Sequence, residues 1–253
     1  MLSSKNATKK LIAHNNPKSP IAESFRTLRT NLSFSATDRP VKVLLITSAG
    51  PQDGTSVVAS NLAVVMAQAG GRVLIVDGDL RNPTMHKFFN LDNSQGLTNL
   101  LVQDLDLKEA AHSTEIDGVW IVPSGPIPPN PSELLGSQKM KAFLEKVSVQ
   151  YDTVILDAPP VIAVTDAAVL APLVDGVVLV VKAGSSRIDM VKEAKQQLEK
   201  ANARIIGVVL NEVKTRREDY RYYYCYRGKD KASEAAMLKR ESSRDVNHSL
   251  FSY

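Results

Sequence analysis

The chain has 253 residues, of which 43% are hydrophobic and 23% charged, enough for one α/β domain with a core on both faces of a sheet. No run approaches about 18 consecutive apolar residues and no apolar stretch opens the sequence, so we expect a soluble, cytoplasmic protein. The single cysteine, Cys225, excludes an internal disulfide and a cysteine-cluster metal site. The four histidines lack metal-ligand spacing: His14, His86, His112 and His248.

The formal net charge of +4 is concentrated at the C-terminal end. Residues 1–213 carry 21 Lys and Arg against 21 Asp and Glu, whereas residues 214–253 carry ten basic and six acidic side chains. The latter segment lacks aliphatic periodicity and is rich in Lys, Arg, Glu and Ser, which predicts disorder. We therefore divide the sequence into an N-terminal segment 1–35, a core 36–213 and a tail 214–253.

The N-terminal segment contains an amphipathic pattern that predicts a helix over residues 21–34. The first apolar strand of the core, 41–47, leads into the loop TSAGPQDGTSV at 47–57, and apolar residues at helical spacing follow that loop. Two more short apolar strands, at 72–77 and 151–157, each end in an aspartate.

Further strands are predicted at 119–122, 176–181 and 205–210. Helical patterns cover residues 131–149 and 188–201, and the proline-rich segment 123–131 is predicted to be a loop. Alternating strands and helices indicate an α/β fold with a mostly parallel, doubly wound sheet that has helices on both faces.

The loop at 47–57 has the outline of a phosphate-binding loop. Gly54 and Ser56 occupy the second glycine and the hydroxyl position of G-x-x-x-x-G-K-[ST], whose backbone N–H groups face a phosphate and whose hydroxyl binds magnesium. Ala49 replaces the first glycine, and Thr55 replaces the lysine. Taken alone, the loop fits a nucleotide site and an ordinary glycine-rich turn equally well.

Aspartates follow two of the predicted strands, at Asp77 and Asp157, with Asp79 close behind the first. Ligands of an open parallel sheet bind at the carboxyl ends of its strands, so these side chains are expected to share one crevice with the loop. Carboxylates beside a phosphate loop suit Mg²⁺. The alternative is that they are simple strand-end turn residues, but three such segments in chain order favour a metal-nucleotide site.

Six of the seven tyrosines lie in the tail, five of them between residues 220 and 226. Aromatic side chains among basic ones can stack on single-stranded nucleic acid, but no RNA-binding motif accompanies them. An oligomer contact is a second interpretation. Phosphate acceptance fits best, because each phosphate adds about −1.5 to −2 charge to a flexible segment. The expected acceptors are Tyr220, Tyr222, Tyr223, Tyr224 and Tyr226.

With these motifs the chain resembles the bacterial tyrosine kinases, or BY-kinases, which act with capsule and exopolysaccharide assembly systems. The loop at 47–56 resembles the Walker A motif of that family, VDGDLR at 76–81 its Walker A′ and VILDAPP at 154–160 its Walker B. PSGPIPPNPSELL at 123–135 is typical of the family, and the tail resembles its autophosphorylated tyrosine cluster. Three residues match its E-x-x-R-x-x-R oligomerisation motif: Glu23, Arg26 and Arg29.

The resemblance implies a P-loop NTPase-like fold and an ATP/Mg²⁺-dependent protein-tyrosine autokinase. Asp77 and Asp79 would act on the tyrosine hydroxyl and magnesium, and Arg81 would lie near the phosphates. The implied metal site comprises Ser56, Asp77 and Asp157. The implied nucleotide site comprises Gly50, Gln52, Asp53, Gly54, Thr55, Ser56 and, at the adenine, Asn211.

The phosphate loop departs from the family pattern P-G-x-G-K-[ST] at Gln52 and Thr55. Thr55 offers a hydroxyl but no positive charge, and removing one preorganised donor commonly costs about 2.7–4 kcal/mol, on the order of 10²–10³ in rate. Asp53 adds a negative charge nearby. Three hypotheses follow: an autokinase or a member of that family with impaired catalysis, a catalytically silent scaffold of polysaccharide assembly, and a partitioning ATPase. The last type ordinarily carries a lysine early in the loop, which is absent here.

The resemblance also implies partners. A separate transmembrane activator, a polysaccharide co-polymerase, would hold the chain at the inner face of the cell membrane and complete the site. Copies of the chain would assemble into a homo-oligomer, a ring, in which each subunit phosphorylates the tail of its neighbour. A cognate tyrosine phosphatase would reverse the reaction, and no nucleic acid partner is expected.

Overall fold

The computed structural model describes residues 8, 10–35, 40–103 and 105–214. The chain divides into two units, Met1–Val213 and Lys214–Tyr253, and the fold described below belongs to the first. The tyrosine cluster and the predicted disorder of the tail lie outside the described residues. Within the described part, no helix is both long enough and apolar enough to cross a membrane.

The described unit is built on a seven-stranded sheet with the strand order β3-β4-β2-β5-β1-β6-β7. Neighbouring strands are parallel except β3 and β4, which are antiparallel. This arrangement confirms the predicted α/β class and its mostly parallel sheet. The strands are β1 (Val43–Ser48), β2 (Val73–Asp77), β3 (His112–Ser113), β4 (Val119–Val122), β5 (Thr153–Asp157), β6 (Gly176–Lys182) and β7 (Ile205–Asn211).

Helices connect the strands and cover both faces of the sheet. A short 3₁₀ turn at Ala171–Leu173 follows the helix that begins at Asp166. In chain order these helices are α1 (Ile12–Asn15), α2 (Pro20–Ser35), α3 (Thr55–Ala67), α4 (Met85–Phe88), α5 (Leu97–Gln103), α6 (Leu107–Ala110), α7 (Pro131–Leu135), α8 (Gln138–Gln150), α9 (Asp166–Leu170) and α10 (Ile188–Lys200).

Strands β1 and β2 are buried along their whole length, which explains why they read as continuous apolar runs in the sequence. Alternate side chains of each strand enter opposite cores. Leu45 packs in the core that contains Leu144 of α8 and Leu198 of α10. Leu44 packs in the other core, with Phe25 of α2 and much of α3. The helix that follows the phosphate loop is therefore held firmly against the sheet.

The prediction of one continuous helix over residues 131–149 is wrong, because two helices cover this range. The first helix ends at Gly136. A Cβ atom added at this glycine would lie 2.7 Å from Cγ1 of Val169. A new helix, α8, then begins, and the Oγ of its N-cap residue Ser137 accepts a hydrogen bond from the Met140 N–H at 3.2 Å. The predicted helices over 21–34 and 188–201 are present as α2 and α10, and the proline-rich loop ends where Pro131 opens α7.

Candidate functional site

The structure brings the three strand-end segments together at the carboxyl edge of the sheet. β5 lies between β1 and β2, and Asp157 is the register partner of both Ile46 and Asp77. The phosphate loop leaves β1 at the same edge and leads into α3. Because this edge is where ligands of open α/β sheets bind, these segments form the candidate site.

The phosphate loop turns through two residues with left-handed backbone conformation. Gly54 has a φ of 95° and is the N-cap residue of α3. A Cβ atom at Gly54 would overlap the side-chain amide of Asn211, so only glycine fits. Gln52 has a φ of 64°, a conformation that residues other than glycine seldom adopt. The loop thus keeps a glycine-like backbone where the sequence has glutamine.

Asp53 fastens the loop to its surroundings. Its side chain is buried, and the carboxylate accepts hydrogen bonds from the Gly50 N–H at 3.0 Å and the Ser186 hydroxyl at 2.8 Å. The side-chain amide of Asn211 donates to the Asp53 carbonyl at 2.9 Å. Asn211, expected at the adenine, therefore ties the end of β7 to the loop. Ser186 was missed because it lies in a loop without a motif.

A hydroxyl and two carboxylates meet at the start of α3. The Ser56 hydroxyl donates to Oδ2 of Asp157 at 2.5 Å, and the Thr84 hydroxyl donates to Oγ of Ser56 at 3.0 Å. Oδ2 of Asp77 accepts from the backbone N–H groups of Thr84 at 3.1 Å and Met85 at 3.0 Å. Thr84, which no sequence motif indicated, links the two carboxylates through these bonds.

The carboxyl groups of this cluster hold their protons more tightly than usual. Burial and, to a lesser extent, the charge of nearby Asp79 raise the pKa of Asp77 to about 7, although three backbone N–H bonds act to lower it. The pKa of Asp157 is raised well above its ordinary value, first by burial and then by the charge of Asp77. Burial also raises the pKa of Asp79. Carboxylates placed so closely favour a proton or a cation between them.

The donor atoms fit a magnesium ion. Oδ1 of Asp77 and Oδ1 of Asp157 are buried and have no hydrogen-bond partner in the described part of the chain. Orphaned carboxylate oxygens are unfavourable unless they meet a cation. Together with Oγ of Ser56 they supply hard oxygen ligands, and Mg²⁺ usually keeps several waters beside such ligands. No group of three or more His, Cys, Asp or Glu among the described residues forms an all-protein metal cage.

Arg81 and Asp79 occupy the turn that follows β2. Oδ1 of Asp79 accepts hydrogen bonds from the backbone N–H of Arg81 at 3.2 Å and of Asn82 at 2.9 Å. The Arg81 guanidinium pairs with Asp166, the first residue of α9, with both bonds at 2.9 Å. It also donates to the Ser132 hydroxyl at 3.0 Å. The sequence did not indicate these two partners of Arg81.

The residues of the E-x-x-R-x-x-R motif lie on α2, away from this edge. Arg26 pairs with Glu23 at 2.8 Å and donates to the Pro17 carbonyl at 2.6 Å. Arg29 donates to the carbonyl of Val65 in α3 at 2.8 Å. Val65 lies ten residues after Thr55, about 15 Å along the helix. Within one chain, Arg29 therefore holds α2 to α3, whereas Arg26 bonds only within the N-terminal segment.

Comparison with known proteins identifies close relatives. A family profile described as an AAA domain matches residues 52–206. Tyrosine-protein kinase YwqD of Bacillus subtilis (strain 168) is 42% identical over 214 residues, which cover 84% of this chain and 90% of that protein. Putative tyrosine-protein kinase CapB of Staphylococcus aureus is 39% identical over 224 residues, which cover 88% and 98% respectively.

A solved structure gives the same result. The chimerical protein CapA2B2 is 44% identical, with a TM-score of 0.79 over 82% of this chain and 91% of that one. The three strand-end motifs at the carboxyl edge and the similarity to these proteins over most of the chain indicate the same family. The chain therefore belongs to the bacterial tyrosine-protein kinases, the BY-kinase family.

Proposed function

We propose that this protein is an ATP/Mg²⁺-dependent protein-tyrosine autokinase that regulates capsular or exopolysaccharide synthesis and export. The observation that carries the proposal is the pair of orphaned oxygens of Asp77 and Asp157, which lie beside Ser56 at the start of α3. A magnesium nucleotide would satisfy both oxygens and bring its phosphates to the N-terminus of that helix. The family membership supports the same reaction.

The chain's own residues account for binding. The backbone N–H groups of residues 52–56 would face the phosphates, and Gly54 permits their close approach. Ser56, Asp77 and Asp157 hold the metal, and Thr84 orients Ser56 and Asp77 through its hydroxyl and backbone N–H. When bound, magnesium neutralises charge on the phosphate oxygens.

Proton transfer is assigned to Asp79. The tyrosine oxygen forms a bond to the γ-phosphorus while the bond from that phosphorus to the β,γ-bridging oxygen breaks, and ADP leaves. The hydroxyl proton passes to the carboxylate of Asp79, which is half-buried and has a raised pKa. Asp77 stays with the metal because its side chain is fully buried. The acceptors would be the tail tyrosines of a neighbouring subunit in a homo-oligomeric ring.

Thr55 favours a second candidate function, a catalytically impaired scaffold that binds nucleotide or partners in polysaccharide assembly. The loop lacks the lysine charge that would stabilise the transferring phosphoryl group. The retained carboxylates at residues 77, 79 and 157 favour the kinase, since a scaffold has little physical need of all three. A partitioning ATPase is disfavoured because the loop has no early lysine.

We further propose a separate transmembrane activator with which the chain associates at the inner face of the cell membrane. The name of the solved chimera CapA2B2 combines a second protein with the CapB type, which supports such a partner. A cognate tyrosine phosphatase would complete the cycle. Co-purification with membranes only when the activator is present would agree with this arrangement, whereas full activity without any partner would contradict it.

One assay distinguishes kinase from scaffold. Purified protein is incubated with ATP, Mg²⁺ and the activator's cytoplasmic segment, and tail phosphotyrosine is read by mass spectrometry. Asp77→Ala should abolish the signal, because it removes a metal ligand. Thr55→Lys should raise it by about 10². If wild type and both variants give no phosphotyrosine, the kinase is ruled out and the scaffold stands.

A further inference from the structure

Arg81 is anchored by a hydrogen-bond network that spans three segments of the chain and is centred on the buried carboxylate of Asp166. Its Nε and Nη2 donate to the two carboxylate oxygens of Asp166, and Nη2 also donates to Oγ of Ser132. The Ser132 hydroxyl donates to Oδ1 of Asp166 at 2.5 Å, and the Thr165 hydroxyl donates to Oγ of Ser132 at 3.1 Å. The side chain of Asp166 is 0% exposed, whereas that of Arg81 is 40% exposed. The carboxylate is thus the fixed member of the pair.

The guanidinium keeps one unused donor group. Within the described part of the chain, Nη1 of Arg81 has no hydrogen-bond acceptor, although Nε and Nη2 are both engaged. A planar guanidinium held through two nitrogens presents the third in a defined direction. The turn that carries it also positions Asp79, through the Arg81 backbone N–H. The free donor therefore lies at the candidate site's edge of the sheet.

The candidate site lacks positive charge where phosphate loops usually have it. Thr55 stands in the lysine position, and Asp53, Asp77 and Asp157 are all buried nearby. Lys182, at the end of β6, is paired with Glu212 at 2.8 Å. A triphosphate at this edge needs positive charge beyond that of the metal, because negative charge is spread over the oxygens of the transferring phosphoryl group and develops on the oxygen that leaves with ADP.

We propose that Asp166 and Ser132 are positioning residues that direct Arg81 at the terminal phosphate of the nucleotide, where its charge partly replaces that of the missing lysine. The inference rests on the proposed function, because it presupposes a nucleotide at this edge. Stability alone is a weak reason for the network, since buried ion pairs often contribute little net stability. A bidentate carboxylate instead gives the arginine one orientation, which a lysine could not adopt.

Equilibrium binding tests the assignment without relying on turnover. Dissociation constants are measured by calorimetry for Mg²⁺ with ADP and for Mg²⁺ with adenylyl imidodiphosphate, a triphosphate analogue that is not transferred. The two ligands share the base, ribose, first two phosphates and metal, so their ratio isolates the terminal phosphate. In Arg81→Lys and Asp166→Asn the preference for the triphosphate should fall about tenfold. Ser132→Ala keeps the ion pair and should change the ratio less.

Arg72→Lys is the matched control. Arg72 precedes β2 at the opposite edge of the sheet and also pairs with an aspartate, Asp152, so the same substitution there should leave the ratio within about twofold. Melting curves identify any variant that fails to fold. If Asp166→Asn does not fold, the affinity ratio of Arg81→Lys alone tests the proposal. An unchanged ratio in Arg81→Lys overturns the inference and leaves the proposed function standing. Absence of any nucleotide binding by the wild type overturns both.

Discussion

Gln52 occupies a left-handed backbone conformation that favours glycine. A left-handed conformation costs a residue with a Cβ atom about 1–2 kcal/mol, and the greater freedom of glycine in the unfolded chain offsets part of any gain. The glutamine side chain is exposed, so no packing is lost on its removal. Gln52 is therefore a strained residue in the phosphate loop.

Gln52→Gly should raise the free energy of unfolding by about 0.5–1 kcal/mol. Denaturant titration of both proteins measures this difference. Asn202→Gly is the matched control, since Asn202 also has a positive φ, of 57°, in the turn after α10. It should stabilise the fold less, because asparagine adopts this conformation more readily than glutamine, and it should not alter nucleotide affinity. A loss of stability in Gln52→Gly would contradict the account of this loop.

Asp77 makes the stability of the ligand-free protein depend on pH. Its pKa of about 7 in the folded protein exceeds the ordinary 3.8, so the folded state binds this proton more tightly than the unfolded state. The resulting stabilisation is fully present below about pH 3.8 and is lost as the pH rises toward about 7, at roughly 1.4 kcal/mol per unit and about 4 kcal/mol in all.

Asp77→Asn should flatten this part of the pH profile, which thermal or denaturant unfolding between pH 4.5 and 7.5, without metal or nucleotide, will measure. Asp152→Asn is the control, because Asp152 is exposed and its hydrogen bonds to Arg72 lower its pKa. A wild-type profile that instead shows stability rising steadily through this range would contradict the assignment.

At the scale of elements, α3 connects the phosphate loop to the N-terminal segment. Its first turn carries Ser56, and the carbonyl of Val65 near its end accepts a hydrogen bond from Arg29 of α2. α1 joins the same core, because the Ala13 N–H donates to the buried side chain of Asn61 at 2.9 Å. The segment that carries the E-x-x-R-x-x-R motif is therefore packed on the helix that begins at the candidate site.

Arg29→Ala should lower the free energy of unfolding by about 1–2 kcal/mol, because it removes a charged hydrogen bond to the Val65 carbonyl. Glu23→Gln should change it by less than about 0.5 kcal/mol, since its pair with Arg26 is partly exposed. Sedimentation velocity on the same variants tests the motif's proposed role in assembly. Equal stability losses in the two variants would show that the Arg29 contact is not the stronger of the two.

Sequence patterns predicted the elements that have unbroken apolar runs. They did not predict the features that depend on contacts between residues distant in the sequence. β1, β2 and β5 were predictable because their Val, Ile and Leu runs end in aspartates or in the phosphate loop. β3, with two residues, and the short helices α4 to α6 carry no periodic signal. The break at Gly136 was not predicted, although a glycine that ends one helix and a serine that caps the next are both local signals in the sequence.

The residues of the candidate site likewise divide into those that the sequence predicted and those that it did not. Ser56, Asp77 and Asp157 were found because each follows a strand in a recognisable motif. Thr84, Ser186, Ser132 and Asp166 were not, because each is brought to its partner by the folded chain from a segment without a motif. The strain at Gln52 became visible only with its backbone angle.

At the scale of the whole molecule, the described unit is a parallel sheet whose carboxyl edge gathers four aspartates at residues 53, 77, 79 and 157. Their concentration is unfavourable unless positive charge is supplied, and the loop that would ordinarily supply it has threonine in place of lysine. The proposed function therefore requires that this edge bind a magnesium nucleotide.

Titration calorimetry of the full chain with ADP and ATP, each with and without Mg²⁺, tests that claim most directly. We predict binding in the millimolar range or tighter that requires magnesium and is abolished by Asp77→Ala, since that substitution removes one of the two orphaned oxygens. No uptake of either nucleotide at millimolar concentration with magnesium, or binding that Asp77→Ala leaves unchanged, would contradict the account.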